Sequence, residues 1–262
     1  MRSSYWYRID EEIYRQGDVA SNIYQVLNGA IRMSRRLPDG RRQIGAFYFP
    51  GDVFGFEPSQ RNRWSAEAIV QPTIVRRAKR LEFMRKAQTN LAHAHILATV
   101  TARDLLHAQE HAVVLGRLAA AERMAAFFLQ MNDRIGASGE IELPMSREDV
   151  ADYLGLTVET VAREISKLHA QGILKRNGPP AWVRRLSLRR PERLQAMLPP
   201  LLTLEMPAVS EDVIDTIFPT TIGAASARVP RSKRRRPTRH ASTDLAGQSG
   251  SARRTKVGGA EG

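Results

Sequence analysis

Val158, Glu159, Ala162, Arg163, Ser166 and Lys167 recur at spacings that put them on one face of a helix. Together they offer a carboxylate acceptor, a guanidinium fork, a hydroxyl and an ammonium, the set with which a helix reads base edges and phosphates of double-stranded DNA. Thr157 stands where an N-cap is needed, and Thr160 shares the first turn with Glu159. The candidate DNA-binding residues are therefore Thr157, Val158, Glu159, Thr160, Ala162, Arg163, Ser166 and Lys167. A second constellation, His107, Glu110 and His111, spells H-x-x-E-H. Two imidazoles at i and i+4 with a carboxylate beside them have a spacing that could hold zinc and drive hydrolysis. No downstream helix offers a convincing third ligand, and no nucleophile with a base and an orienting acid can be made out. Ser65 reads as a strand residue and Ser146 as an N-cap. Gly51-Asp52-Val53-Phe54-Gly55 lacks the Lys-Ser/Thr of a phosphate loop. His93 and His95 read as solvated helix residues.

The first set needs a scaffold, and the stretch 146–172 supplies one. Ser146 can cap a helix, with Asp149 three residues on to return the bond as in a capping box. Val150, Ala151 and Leu154 fall at helical spacing, Gly155 permits a sharp turn, and Leu156 fills the corner. Val161, Ile165 and Leu168 give the second helix one buried stripe, which Gly172 ends as a C′ residue. The pattern is a helix-turn-helix.

The chain has 262 residues, enough for one large domain or two ordinary ones. Lys and Arg number 40 against 27 Asp and Glu, a net charge of +13, which favours a polyanionic partner. No stretch reaches the ~18 consecutive apolar residues of a spanning helix. The opening MRSSYWYRIDEEIYRQ has acids where a signal peptide has its apolar core, so the expected location is cytoplasmic. There is no cysteine, which rules out disulfides, thiol switches and cysteine-ligated iron–sulfur clusters.

Residues 9–88 read as an all-β domain. Short apolar or alternating runs at 23–27, 30–34, 42–49 and 64–70 are separated by Gly17-Asp18, Asn28-Gly29, Pro38-Asp39-Gly40 and Pro50-Gly51-Asp52. A long helix follows over 89–115, with Ala94, Ala98, Thr101, Leu105, Ala108, Ala112 and Leu115 at alternating steps of four and three. That seam of mostly small residues either packs on the chain's own β domain or pairs two copies. Gly116-Arg117 is expected to interrupt it before a second helix over 118–134. Gly136–Gly139 reads as a domain boundary. Past the helix-turn-helix, 173–176 and 182–188 read as strands of a hairpin around Asn177-Gly178-Pro179-Pro180, the wing of a winged helix, and Pro191 starts a last short helix. After Leu204 the composition turns to Ser, Ala, Gly and Pro with a basic run at 233–236, so disorder is expected there. The run can add sequence-independent phosphate contacts or be a solvated tail.

With these motifs in this order, the chain resembles the CRP/FNR superfamily of bacterial transcription regulators, and most its FixK branch. The similarity spans about 13–188 and is densest in DGRRQIGAF (39–47), PGDVFG (50–55), RWSAEAI (63–69), HAQEHAVVLG (107–116), AAER (120–123) and DYLGLTVETV (152–161). The resemblance implies an α+β fold: a cyclic-nucleotide-binding-like β-roll (jelly roll) at 1–88, a dimerisation helix and connecting helix at 89–135, and a winged helix-turn-helix at 136–203. A disordered basic tail, 204–262, would follow. It implies a transcription activator that binds a palindrome as a homodimer through 89–116 and contacts RNA polymerase, with no membrane partner. Through the pattern Glu-x-x-Ser-Arg it gives Glu159 a cytosine amino group and Arg163 the O6 and N7 of a guanine, in half-sites of TTGAT type controlling low-oxygen respiration or nitrogen-fixation genes. The chain departs at Ala162, where Ser is usual, and at Glu164, where relatives tend to be apolar; Glu164 is expected at a partly exposed helix edge. No cofactor is expected. Cyclic AMP is disfavoured because Gly55-Phe56-Glu57 and Arg63-Trp64-Ser65-Ala66 depart from the Gly-Glu-Leu and Arg-Ser-Ala of nucleotide-binding relatives, though a ligand-gated regulator stays open.

Overall fold

Ile23, Tyr24 and Val26 along one strand, and Ile44, Ala46, Phe47 and Tyr48 along another, are buried β-formers that need a second layer to cover them. The computed structural model describes residues 4–136, 139–177, 184–200 and 210–218, and there that layer is a second sheet. The strands are β1 (Ser4–Tyr7), β2 (Glu12–Tyr14), β3 (Asn22–Asn28), β4 (Ile31–Arg36), β5 (Arg42–Tyr48), β6 (Val53–Phe54), β7 (Ser65–Ala68) and β8 (Thr73–Lys79). They form two antiparallel sheets, ordered β1-β8-β3-β6 and β2-β7-β4-β5. Val26 and Val75 from one sheet meet Ile31, Ala46 and Ala66 from the other, with Tyr24, Tyr48 and Phe54 stacked among them at centroid distances of 5.0–5.2 Å.

Helix α1 (Arg80–Thr89) was not foreseen; it follows β8 directly and buries Phe83. Asn90, whose side chain accepts from the His93 amide, then starts α2 (Leu91–Arg117). The helix buries Ile96, Val100, Arg103 and Val114 on its own domain. Ala98, Thr101, Leu105, Ala108 and Ala112 are exposed, so the small-residue seam does not pack on the chain's own β domain. Gly116 does not interrupt α2. The break falls at Leu118-Ala119, where the buried Leu118 turns extended. Arg123 takes up the freed carbonyls there, with Nη2 donating to Leu115 O at 2.7 Å and Nε to Leu118 O at 2.9 Å.

Helix α3 (Ala120–Ile135) is buried from Met124 to Met131 and forms the floor of the C-terminal domain. On it stand β9 (Glu140–Glu142), α4 (Arg147–Leu154), α5 (Val158–Ala170), β10 (Leu174–Arg176), β11 (Arg185–Leu188) and α6 (Pro191–Gln195). The hairpin expected there is a three-stranded sheet, β10-β11-β9, with β9 unforeseen. Residues 178–183, Trp182 among them, lie outside the described residues, as does the basic run 233–236.

The expected disorder beyond Leu204 is corrected at 210–218. Helix α7 (Glu211–Ile217) is present, and Ile214, Ile217 and Phe218 pack with Ile23, Val53, Phe83, Ile96 and Val100. Burial of its apolar side is the reason a segment with a polar, flexible composition around it becomes ordered. Among the described residues no helix is long and apolar enough to cross a membrane.

Candidate nucleic-acid interface

Helix α5 owes its start and its aim to local chemistry. The capping box of α4 is closed both ways, Asp149 N to Ser146 Oγ at 3.0 Å and Ser146 N to Asp149 Oδ2 at 3.2 Å. Gly155 ends α4 at φ 61°, the left-handed conformation that costs a glycine little, and the chain swings into α5. Thr157 Oγ1 caps α5 by accepting from Thr160 N at 3.2 Å. Val161, Ile165 and Leu168 are buried against the domain, which turns the opposite face outward.

The structure brings the sequence-predicted residues onto that outward face. Thr157, Val158, Glu159, Arg163, Ser166 and Lys167 are exposed, and Thr160 and Ala162 are half-buried between them. Val158, 39% exposed, puts an apolar tip at the start of the helix. The Glu159 carboxyl is held below its usual range by its own amide N–H and the Thr157 hydroxyl, so it stands as an ionised acceptor at neutral pH. Arg163 Nη2 donates to Thr160 Oγ1 at 3.3 Å. Ser166 Oγ donates to the Ala162 carbonyl at 2.9 Å and accepts from Arg176 Nη2 at 2.7 Å, which joins the recognition helix to β10 of the wing.

Glu164 departs from expectation. It is buried, not at an exposed edge, because its position continues the apolar stripe of α5. Its Oε1 lies 2.9 Å from Lys167 Nζ and 3.6 Å from Arg163 Nε.

The β-roll grips this domain through contacts that were not foreseen. Arg42 Nη2 reaches Asp149 Oδ1 at 2.8 Å and its Nε reaches Asp152 Oδ2 at 2.6 Å, while Arg32 Nη1 reaches Asp149 Oδ1 at 3.2 Å and its Nε reaches Glu67 at 2.7 Å. Tyr153 is buried between Phe47, at 5.2 Å, and His111, at 4.2 Å. Arg123 Nη1 donates to Leu154 O at 2.9 Å, tying the end of α4 to the α2–α3 corner. Arginines at 32 and 42 and acids at 149 and 152 are the local signals, and neither pair names its partner.

His107 and His111 have other partners in this structure. His107 Nε2 lies 3.2 Å from Gly45 O, and a carbonyl only accepts, so that nitrogen carries its proton. His111 stacks on Tyr153, and burial holds its pKa down to about 4. Among the described residues no three His, Asp or Glu side chains are grouped to hold a metal.

Between β-roll and α2 lies a cavity of about 390 Å³, bordered by Tyr14, Tyr48, Trp64, Asp104 and His107. At its mouth Arg63 Nε donates to Glu57 Oε1 at 2.7 Å and its amide to Oε2 at 3.0 Å. The Trp64 indole lies so close to Gly45 that a Cβ there would meet it at 3.0 Å.

The domain models of known families fit this layout: a cyclic nucleotide-binding domain matches 6–90 and a Crp-like helix-turn-helix domain matches 122–197. The nitrogen fixation regulation protein FixK of Rhizobium meliloti is 38% identical over 191 residues, 73% of this chain and 85% of that protein. Its namesake from Azorhizobium caulinodans is 41% identical over 170 residues, 63% of this chain and 68% of that protein. The solved structure of FixK2 from Bradyrhizobium japonicum is 46% identical, with a TM-score of 0.71 over 75% of this chain and 97% of that one. A CRP-family regulator of Thermus thermophilus, 22% identical with a TM-score of 0.61 over 76% of this chain and 99% of that one, shares the fold. With these relatives and this recognition helix, the chain belongs to the CRP/FNR family of DNA-binding transcription regulators, among its FixK homologues, and is not an enzyme.

Proposed function

We propose that the chain is a cytoplasmic, homodimeric activator that reads a TTGAT-type palindrome and recruits RNA polymerase to low-oxygen respiration or nitrogen-fixation genes. The observation that carries this is the outward face of α5, where an ionised Glu159 and an exposed Arg163 stand one helical turn apart. Glu159 accepts from a cytosine amino group, and Arg163 donates to O6 and N7 of a guanine. Thr157, Thr160, Ser166 and Lys167 serve phosphates or neighbouring bases, and Val158 and Ala162 offer apolar contact to thymine methyls. The exposed seam of α2 supports pairing of two copies through 89–116, and two-fold symmetry then sets the recognition helices about 34 Å apart, one turn of duplex.

In this reading no cofactor gates binding. The guanidinium that a cyclic phosphate would need is taken by Glu57, and Trp64 separates it from Ser65. The cavity of about 390 Å³ favours a second reading, a small-molecule effector of other chemistry. A gel shift with a TTGAT-N4-ATCAA duplex, in air and with or without cyclic AMP, tests both. Retardation without additive, absent on random duplex and lost in Arg163→Ala, is the expected result. Retardation only with cyclic AMP overturns the ligand-free reading, and equal retardation of random duplex overturns the assignment of the site.

A further inference from the structure

We infer that Glu164 is a positioning residue for base reading, a buried carboxylate whose charge holds the Arg163 guanidinium in place for guanine. The inference rests on the proposal that Arg163 reads a guanine.

The Glu164 side chain is 6% exposed, while its two cations, Arg163 and Lys167, are 60% and 57% exposed. A carboxylate on the buried stripe with Val161, Ile165 and Leu168 is tolerable only while it stays paired. Lys167 supplies the hydrogen bond, at 2.9 Å, and Arg163 adds a second positive charge at 3.6 Å.

Arg163 is held from two sides. Its Nε faces Glu164 Oε1 at 3.6 Å, and Nη2 donates to Thr160 Oγ1 at 3.3 Å. Thr160 Oγ1 in turn lies 3.1 Å from Thr157 Oγ1. A guanidinium carries five N–H donors. At 3.6 Å Glu164 acts on the guanidinium as a charge and takes no hydrogen from it, so with one hydrogen on Nη2 given to Thr160, four remain. These suffice for O6 and N7 of a guanine. An unbraced arginine at an exposed site must give up its rotamer freedom when it docks, and bracing in advance removes that loss. Glu164 has an opposite effect too, because an anion beside two groove-facing cations lowers their attraction to phosphate. A charge acts on every phosphate alike, so this effect falls on overall affinity, and the positional effect is left to act on discrimination between bases.

The experiment measures binding of the wild type, Glu164→Gln, Glu164→Leu, Arg163→Ala and the double variant Arg163→Ala/Glu164→Gln by fluorescence anisotropy. The probes are the TTGAT palindrome and the same duplex with its guanine replaced by adenine. The expected result is that both Glu164 variants lose about tenfold of the guanine-over-adenine preference per half-site. In the Arg163→Ala background Glu164→Gln changes that preference no further, and Glu164→Leu melts no lower than wild type. A preserved preference in both Glu164 variants, with Arg163→Ala having lost it, overturns the inference and leaves the base reading intact. So does a loss of preference that accompanies Glu164→Gln equally in the Arg163→Ala background. If Arg163→Ala keeps the preference, the guanine reading itself falls, and this inference with it.

Discussion

Arg42 places Nη2 2.8 Å from Oδ1 of Asp149, whose other oxygen closes the capping box of α4 at 3.2 Å from Ser146 N. One carboxylate thus starts the helix-turn-helix and fastens it to the β-roll. Asp149 is 3% and Arg42 18% exposed, so water competes little for either.

Replacing Arg42 by Ala removes the bonds to both Asp149 and Asp152 and leaves Asp149 to Arg32 among the described residues of the β-roll. Loss of hydrogen bonds to charged groups in this setting should cost about 1–3 kcal/mol. A melting temperature lowered by several degrees, with weaker retardation of the palindrome, is the expected outcome. Arg42→Lys should recover only part of it, since one ammonium cannot span two carboxylates as a fork does. Wild-type melting and binding in Arg42→Ala would show that the domain orientation is set elsewhere, for instance by Tyr153 packed on Phe47.

Acid should act through α2. Burial pushes Asp104 up to about 6 and His111 down to about 4, and it lowers His107 as well. The facing charges are Arg103, Asp52 and Arg134. For His111 the folded state resists protonation, so its contribution is full above the unfolded value near 6.5 and is lost as pH falls towards 4. Asp104 has the opposite sign: its folded form takes the proton more readily than the unfolded chain, so falling pH between 6 and 4 favours the fold. The two oppose each other over the same window. Urea titrations from pH 7 to pH 4.5 should therefore show a steeper loss of stability in Asp104→Asn than in wild type, and a shallower one in His111→Asn. Parallel profiles for all three proteins would exclude these groups as the source.

The parts legible in the sequence are those carried by local chemistry. The capping box, the left-handed Gly155 and the stripe Val161, Ile165, Leu168 each sit within a few residues of what they organise. Strands of two or three residues, such as β6 and β9, are too short to show a period, and β8 is disguised by Arg76, Arg77 and Lys79 on a strand with a buried side. The clamp between Arg42 and Asp149 joins residues 107 apart, and nothing near either names the other. Glu164 misled for a different reason: a charged residue in an apolar stripe reads as an edge until its pairing cations are placed. Helix α7 did carry a signal, Ser210 followed by two acids and then Val213, Ile214 and Ile217, but the surrounding Ser, Ala, Gly and Pro hid it.

That helix makes its own prediction. Ile217 is 4% exposed among Ile23, Phe83 and Val100, and a carboxylate there would be buried in an apolar cluster. In Ile217→Asp, α7 should detach, and amide exchange should rise in α1 and the first turns of α2, with α5 unaffected. Unchanged exchange in α1 would mean that α7 adds nothing to the packing of that corner.

The α2 seam can be tested without endangering the protomer. Leu105 is 56% exposed, so a glutamate there removes little buried area and should leave the melting of an isolated protomer within about 0.5 kcal/mol of wild type. If two copies pair through this face, the same change puts like charges opposite each other at the centre of the seam, where small residues allow the closest approach. Leu105→Glu should then sediment as a monomer with an unaltered far-ultraviolet circular dichroism spectrum. Its affinity for the palindrome should fall to that of a single half-site, because the second recognition helix no longer arrives with the first. A Leu105→Glu protein that stays dimeric and still distinguishes correctly spaced half-sites from those shifted by half a turn would move the interface off α2.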